Sequence, residues 1–76
     1  MQVQMSIEEL AERLRTARKA LGLRQAELAE RWGCNYNTIS RIEAGKEPGM
    51  MGLFCDALLH LESEVESKKS IASSEQ

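Results

Sequence analysis

The chain has 76 residues, is 42% hydrophobic and 29% charged, and carries a net charge of -2; at roughly 100 to 200 residues per domain it is one small domain, too rich in apolar residues to be disordered. Apolar runs such as Ala57-Leu58-Leu59 fall far short of the ~18 residues of a membrane span, and Met1-Gln2-Val3-Gln4-Met5 has neither the basic start nor the apolar stretch of a secretory signal, so a cytoplasmic protein is expected. Cys34 and Cys55 lie far apart and His60 is the single histidine, too few ligands for a tetrahedral zinc site, so free thiols, no metal and no cofactor are expected.

In chain order, residues 1–5 are expected to be an N-terminal arm. Ser6-Ile7-Glu8-Glu9 then forms a capping-box pattern that opens a stripe of Ile7, Leu10, Ala11, Leu14, Ala17 and Leu21. With Lys19 near its end and Gly22 beyond it, the first helix is expected over 6–21. Gln25 to Trp32 reads as a short second helix with Leu28, Ala29 and Trp32 on one side, stopped by Gly33. Asn35 is a good N-cap for a third helix over Tyr36 to Ala44, stopped by Gly45. After the Lys46-Glu47-Pro48-Gly49 turn, a fourth helix is expected from Met50 to about Glu66, with 67–76 as a flexible tail. No segment alternates as a strand would. The expected fold class is therefore all-α.

The small net charge hides segregation. Residues 1–12 sum to -3, 13–46 to +5, 47–66 to -5 and 67–76 to +1. One region could face phosphate while another faces away, although solvated helix faces would give the same pattern.

The segment from Gln25 to Gly45 is the informative one. Leu28, Trp32, Cys34, Ile39 and Ile42 supply apolar contacts between two short helices, Ala29 allows close approach, and Gly33 allows a tight turn. At 100° per residue, Tyr36, Asn37, Ser40 and Arg41 share one face of the third helix, while Ile39 and Ile42 point the other way. Asn can bond adenine in a bidentate manner, Arg can bond guanine, and Ser can serve either. Tyr36 could touch a thymine methyl, a sugar or a phosphate.

These residues resemble the helix-turn-helix family of phage repressors and Cro proteins, the broad XRE-like group, over 7 to about 61. The similarity rests on Leu21-Gly-Leu-Arg-Gln-Ala-Glu-Leu-Ala29, Gly33, Thr38-Ile39-Ser40-Arg41-Ile42-Glu43 and Gly45, at the family's spacing without a gap. It implies a compact four- to five-helix, lambda-repressor-like domain over 6–66, with the helix-turn-helix at 25–44. It also implies that the third helix enters the major groove and that dimers read two half-sites about 34 Å apart. Tyr36, Asn37, Ser40 and Arg41 become base readers. Gln25 becomes a phosphate contact at a helix start; Arg24, Asn35, Thr38 and Lys46 are looser phosphate contacts or merely solvated. Arg18 and Glu43 become an ion pair between the first and third helices. Two departures are evident: Arg24 stands where Thr, Ser or Asn usually caps the second helix, and the fourth helix lacks the usual Ser-x-x-x-Leu opening and Leu-Gly-Val break.

A core this small gains from a partner subunit. Met51, Phe54, Leu58, Leu61 and Val65 repeat in alternating steps of three and four, a heptad-like seam. With Met50, they are the expected homodimer interface; filling of the protein's own core is the alternative. The expected function is a sequence-specific regulator of transcription, most simply a repressor, binding an inverted-repeat operator in double-stranded DNA. A second expectation is a protein-interaction module, such as an antitoxin, whose fourth helix or tail binds a toxin, antirepressor or RNA polymerase. No catalytic residue is expected, because neither cysteine has a histidine at interpretable spacing and no glycine-rich phosphate loop is present.

Overall fold

A computed structural model describes the backbone of residues 5–74 and the side chains of residues 5–68. Four helices follow in order: α1 (Ile7–Ala20), α2 (Gln25–Trp32), α3 (Tyr36–Glu43) and α4 (Met51–Ser74). Among the described residues there is no strand. Of the expected N-terminal arm only Met5 is described; residues 1–4 lie outside the described residues.

Each of the first three helices ends in the same way. Its last turn closes on a left-handed glycine, Gly22, Gly33 or Gly45, with φ of 71°, 68° and 90°. In each case the glycine N–H and that of the next residue return to carbonyls of the final turn, as in Leu23 to Arg18, Cys34 to Ala29 and Lys46 to Arg41 at 2.9–3.0 Å. This is the Schellman pattern, which glycine adopts without a Cβ penalty. The starts are less uniform. Ser6 Oγ accepts from the Glu9 N–H at 3.1 Å, but the Glu9 carboxylate turns to Arg13 at 3.0 Å rather than back to Ser6. Asn35 Oδ1 accepts from the Asn37 N–H at 2.9 Å. At α2, the Glu27 carboxylate accepts from the Arg24 N–H at 2.8 Å. A guanidinium has no lone pair for an amide, so Arg24 contributes no side-chain cap of its own.

The core joins Leu10, Leu14 and Ala17 of α1 to Leu28 and Ala29 of α2, Ile39 and Ile42 of α3, and Leu58 and Leu61 of α4. Helix α1 packs on α3 and α4, and α2 on α3. Trp32 and Phe54 meet with ring centroids 6.0 Å apart.

Two expectations about α4 need correction. The helix runs to Ser74, through the stretch expected to be a flexible tail, because nothing after Glu66 stops it: no glycine or proline occurs there. Residues 75–76 lie outside the described residues. The seam is the second correction. Leu58 and Leu61 are fully buried in the protein's own core, and Met51, Phe54 and Val65 pack against it. One apolar stripe on a helix satisfies one partner, and here α1 and the helix-turn-helix occupy it. Leu58 and Leu61 are therefore closed to a second subunit, whereas Met51, Phe54 and Val65 pack against the core while keeping part of their surface exposed. The surplus is Met50 and Leu53, 61% and 60% exposed.

Among the described residues, no helix is long and apolar enough to cross a membrane, and no group of three or more His, Cys, Asp or Glu side chains is arranged to hold a metal ion. Cys34 is half-buried, Cys55 is buried, and both are free thiols. Burial pushes the Cys34 thiol above its ordinary pKa.

Candidate nucleic-acid interface

Helix α3 has two turns, and its inner side is fixed by Ile39 and Ile42, essentially without exposure, and by Glu43, which is also buried. The outer side follows from helical geometry. Tyr36 is 51% exposed, Asn37 and Arg41 are exposed, and Ser40 is half-buried between them. Four side chains with base-edge chemistry thus stand on one face, with both ends of the helix anchored.

Glu43 is the anchor at the C-terminal end. Its carboxylate receives Arg18 Nε at 2.7 Å and Arg18 Nη2 at 3.0 Å, a bidentate pair, and Gln25 Nε2 at 3.1 Å. Burial works against ionisation of Glu43, but the hydrogen bonds from Arg18 and Gln25 and the charges of Arg18 and Arg15 outweigh it, and the carboxyl sits below its usual range. Arg18 also donates to the Leu23 carbonyl at 2.8 Å, tying the connection between α1 and α2 to the same cluster. One carboxylate therefore couples α1, the start of α2 and the end of α3.

The side chains expected at phosphates divide into three places. Gln25 and Ser40 line a hollow of about 310 Å³ with Arg15, Arg18 and Lys19 on one flank of α3. Gln25 is half-buried there, with its amide already donating to Glu43. Thr38, Arg41 and Lys46 line a second hollow, about 340 Å³, on the opposite flank, floored by Cys34, Pro48 and Phe54. Arg24 stands near Tyr36 at the edge of α2; its side chain is 84% exposed, with Nε 3.5 Å from Glu27. Asn35 is exposed; its Oδ1 serves as the α3 cap, and its amide N–H groups are donors that an outside phosphate could accept from.

Sequence reasoning missed three contributors. Glu27, three residues after Arg24, carries a capping-box signal that the unusual N-cap concealed; the Arg24 backbone N–H and then its side chain hold this carboxyl below the ordinary range. Lys19 was read only as a helix-end residue, yet it lines the Gln25 hollow. Arg15 reaches the Glu43 backbone across the helix pair, a contact with no local signature.

A family model described as a helix-turn-helix domain matches residues 9–65, three quarters of the chain. No curated protein and no solved structure matches it. The chain belongs to the helix-turn-helix domain family, a class that implies DNA as the partner and is typically non-enzymatic.

Proposed function

We propose that the protein is a sequence-specific, double-stranded DNA-binding regulator of the XRE or Cro-like kind. A homodimer reads an inverted-repeat operator and, most simply, represses transcription from it in the cytoplasm. Helix α3 enters the major groove; Asn37 and Arg41 read base edges, with Ser40 and Tyr36 beside them. Gln25 with the start of α2 holds one phosphate strand, and Lys46 and Thr38 hold the other, while Arg24 and Asn35 lie at the margin. The observation that carries this reading is the outward, solvent-facing set of Tyr36, Asn37 and Arg41 on a helix whose inner side is locked by Ile39, Ile42 and Glu43.

The test is selection of a bound sequence from a randomised duplex library, followed by gel shifts on the selected duplex. Asn37→Ala and Arg41→Ala are each expected to weaken binding to it by about 5- to 150-fold, the equivalent of 1–3 kcal/mol per bidentate contact. Normal binding by both variants would defeat the assignment. A second reading is favoured by the exposure of Met50 and Leu53 at the start of α4. That apolar pair supports either the dimer contact or a surface for a partner protein, and light scattering of Leu53→Glu separates these by whether a dimer is lost.

A further inference from the structure

We infer that Arg15 is a positioning residue for the recognition helix. Through a hydrogen bond to the last open backbone carbonyl of α3, it sets the angle at which α3 meets DNA. The inference rests on the proposed function.

The Schellman ending of α3 accounts for most of its terminal carbonyls. Ser40 and Arg41 accept from Ala44, Arg41 accepts also from Lys46, and Ile42 accepts from Gly45. The Glu43 carbonyl has no helical donor left, because the chain has already turned away at Gly45. Arg15 Nη2 donates to it at 2.8 Å, while Arg15 Nε lies 3.8 Å from the Glu43 carboxylate. A cation at this point also complements the negative end of the helix dipole.

The arrangement separates two tasks at one residue. Arg18 holds the Glu43 side chain, whereas Arg15 holds its backbone, and both come from the rigid α1. Side-chain pairing fixes the Glu43 carboxylate, and Ile39 and Ile42 fix the inner side, but neither holds the main chain at the end of α3. The Arg15 contact does so, and for a two-turn helix a small pivot at one end displaces Asn37 at the other. Small misplacement is costly where bidentate geometry must be met.

Arg15 is also half-exposed beside Lys19 and Gln25, so a direct phosphate contact is the competing role, and salt distinguishes the two. Binding of Arg15→Ala and Arg15→Lys would be measured by fluorescence anisotropy on the selected duplex and on a random-sequence duplex over a range of salt, with melting temperatures alongside. The expected result for Arg15→Ala is a ten-fold or larger loss on the selected duplex, little change on the random one, an unchanged salt slope and a folded protein. Arg15→Lys, which keeps a donor of similar reach, should recover most of the loss. An equal loss on both duplexes, with the slope shallower by about 0.9, would make Arg15 a phosphate contact instead. Unchanged specific binding, or a variant too unstable to fold while Arg15→Lys is normal, would likewise overturn the positioning role. Failure of the wild-type protein to select any sequence would count against the proposed function itself, before the variants are compared.

Discussion

At the scale of single residues, Glu43 carries more of the molecule than its position suggests. It is buried, and the Arg18 guanidinium that pairs with it has a side chain only 11% exposed, so each would be left as an uncompensated charge without the other. Removing one partner of such a pair costs about 3–5 kcal/mol. Arg18→Ala is expected at the lower end, near 3 kcal/mol, because Gln25 and Arg15 still face the carboxylate. A domain of this size has only about 4–11 kcal/mol in total, so a large fall in the urea midpoint is expected. The pH dependence follows from the lowered Glu43 pKa. Its stabilising effect is complete above the ordinary glutamate value of about 4.3 and disappears as pH falls through the depressed folded value. Glu43→Gln should therefore be less stable than the parent at neutral pH yet lose less on acidification. Parallel acid limbs in the two denaturation series would contradict the account.

At the scale of elements, the first three helices were legible because their ends are written locally. Ser6, Asn35 and the three glycines act within a few residues of themselves, and the helices end within a residue of where those signals put them. The turn between α2 and α3 tests this. Nothing lies within 4 Å of a Cβ built on Gly33, so Gly33→Ala meets no obstacle and reports only the cost of a left-handed backbone, about 1–2 kcal/mol. Asn35→Ala should cost about 1 kcal/mol through the lost cap, and Asn35→Ser should restore it. A stability loss for Gly33→Ala near zero in chemical denaturation would mean that the turn relaxes. Helix α4 was less legible for the same physical reason in reverse. No local stop marks its end, and a stripe of Met51, Phe54, Leu58, Leu61 and Val65 says that a partner exists without saying which. Only the packing decides, and it buries Leu58 and Leu61 in the protein's own core, with Met51, Phe54 and Val65 partly exposed at its edge. The exposed face of α3, by contrast, follows from helical periodicity once α3 is placed, whereas the Arg15 contact spans 28 positions and no pattern announces it.

At the scale of the whole molecule, the charge segregation along the sequence has a different meaning in space. The acidic α4 folds back on the basic helices: Arg13 donates to Glu62 at 2.9 Å, a bond that keeps the Arg13 guanidinium firmly protonated, and Arg31 meets Glu64 at 2.8 Å. Arg15 and Arg18 face Glu43, and Arg24 faces Glu27. Of the bases in residues 13–46, Lys19, Arg41 and Lys46 are the ones with no carboxylate within 4 Å among the described residues, Arg41 on α3 itself and the two lysines lining the hollows beside it. The positive potential offered to DNA is thus smaller and more localised than the sequence balance of the segment suggests. Each neutralised phosphate contributes about -0.9 to the slope of log affinity against log salt. With Arg41 reading a base edge, Lys19 and Lys46 are left for phosphate, and they predict a slope of roughly -2 for one protomer and -4 for a dimer on two half-sites; every base in the segment engaging phosphate would give about -7 per protomer. Anisotropy titrations of the selected duplex at increasing potassium chloride measure this directly. A slope near about -4 with a sequence preference supports the dimer and the paired state of the remaining arginines together. A value of about -2 would make the bound form a single protomer, and one far steeper would mean that DNA opens the ion pairs holding α4 in place.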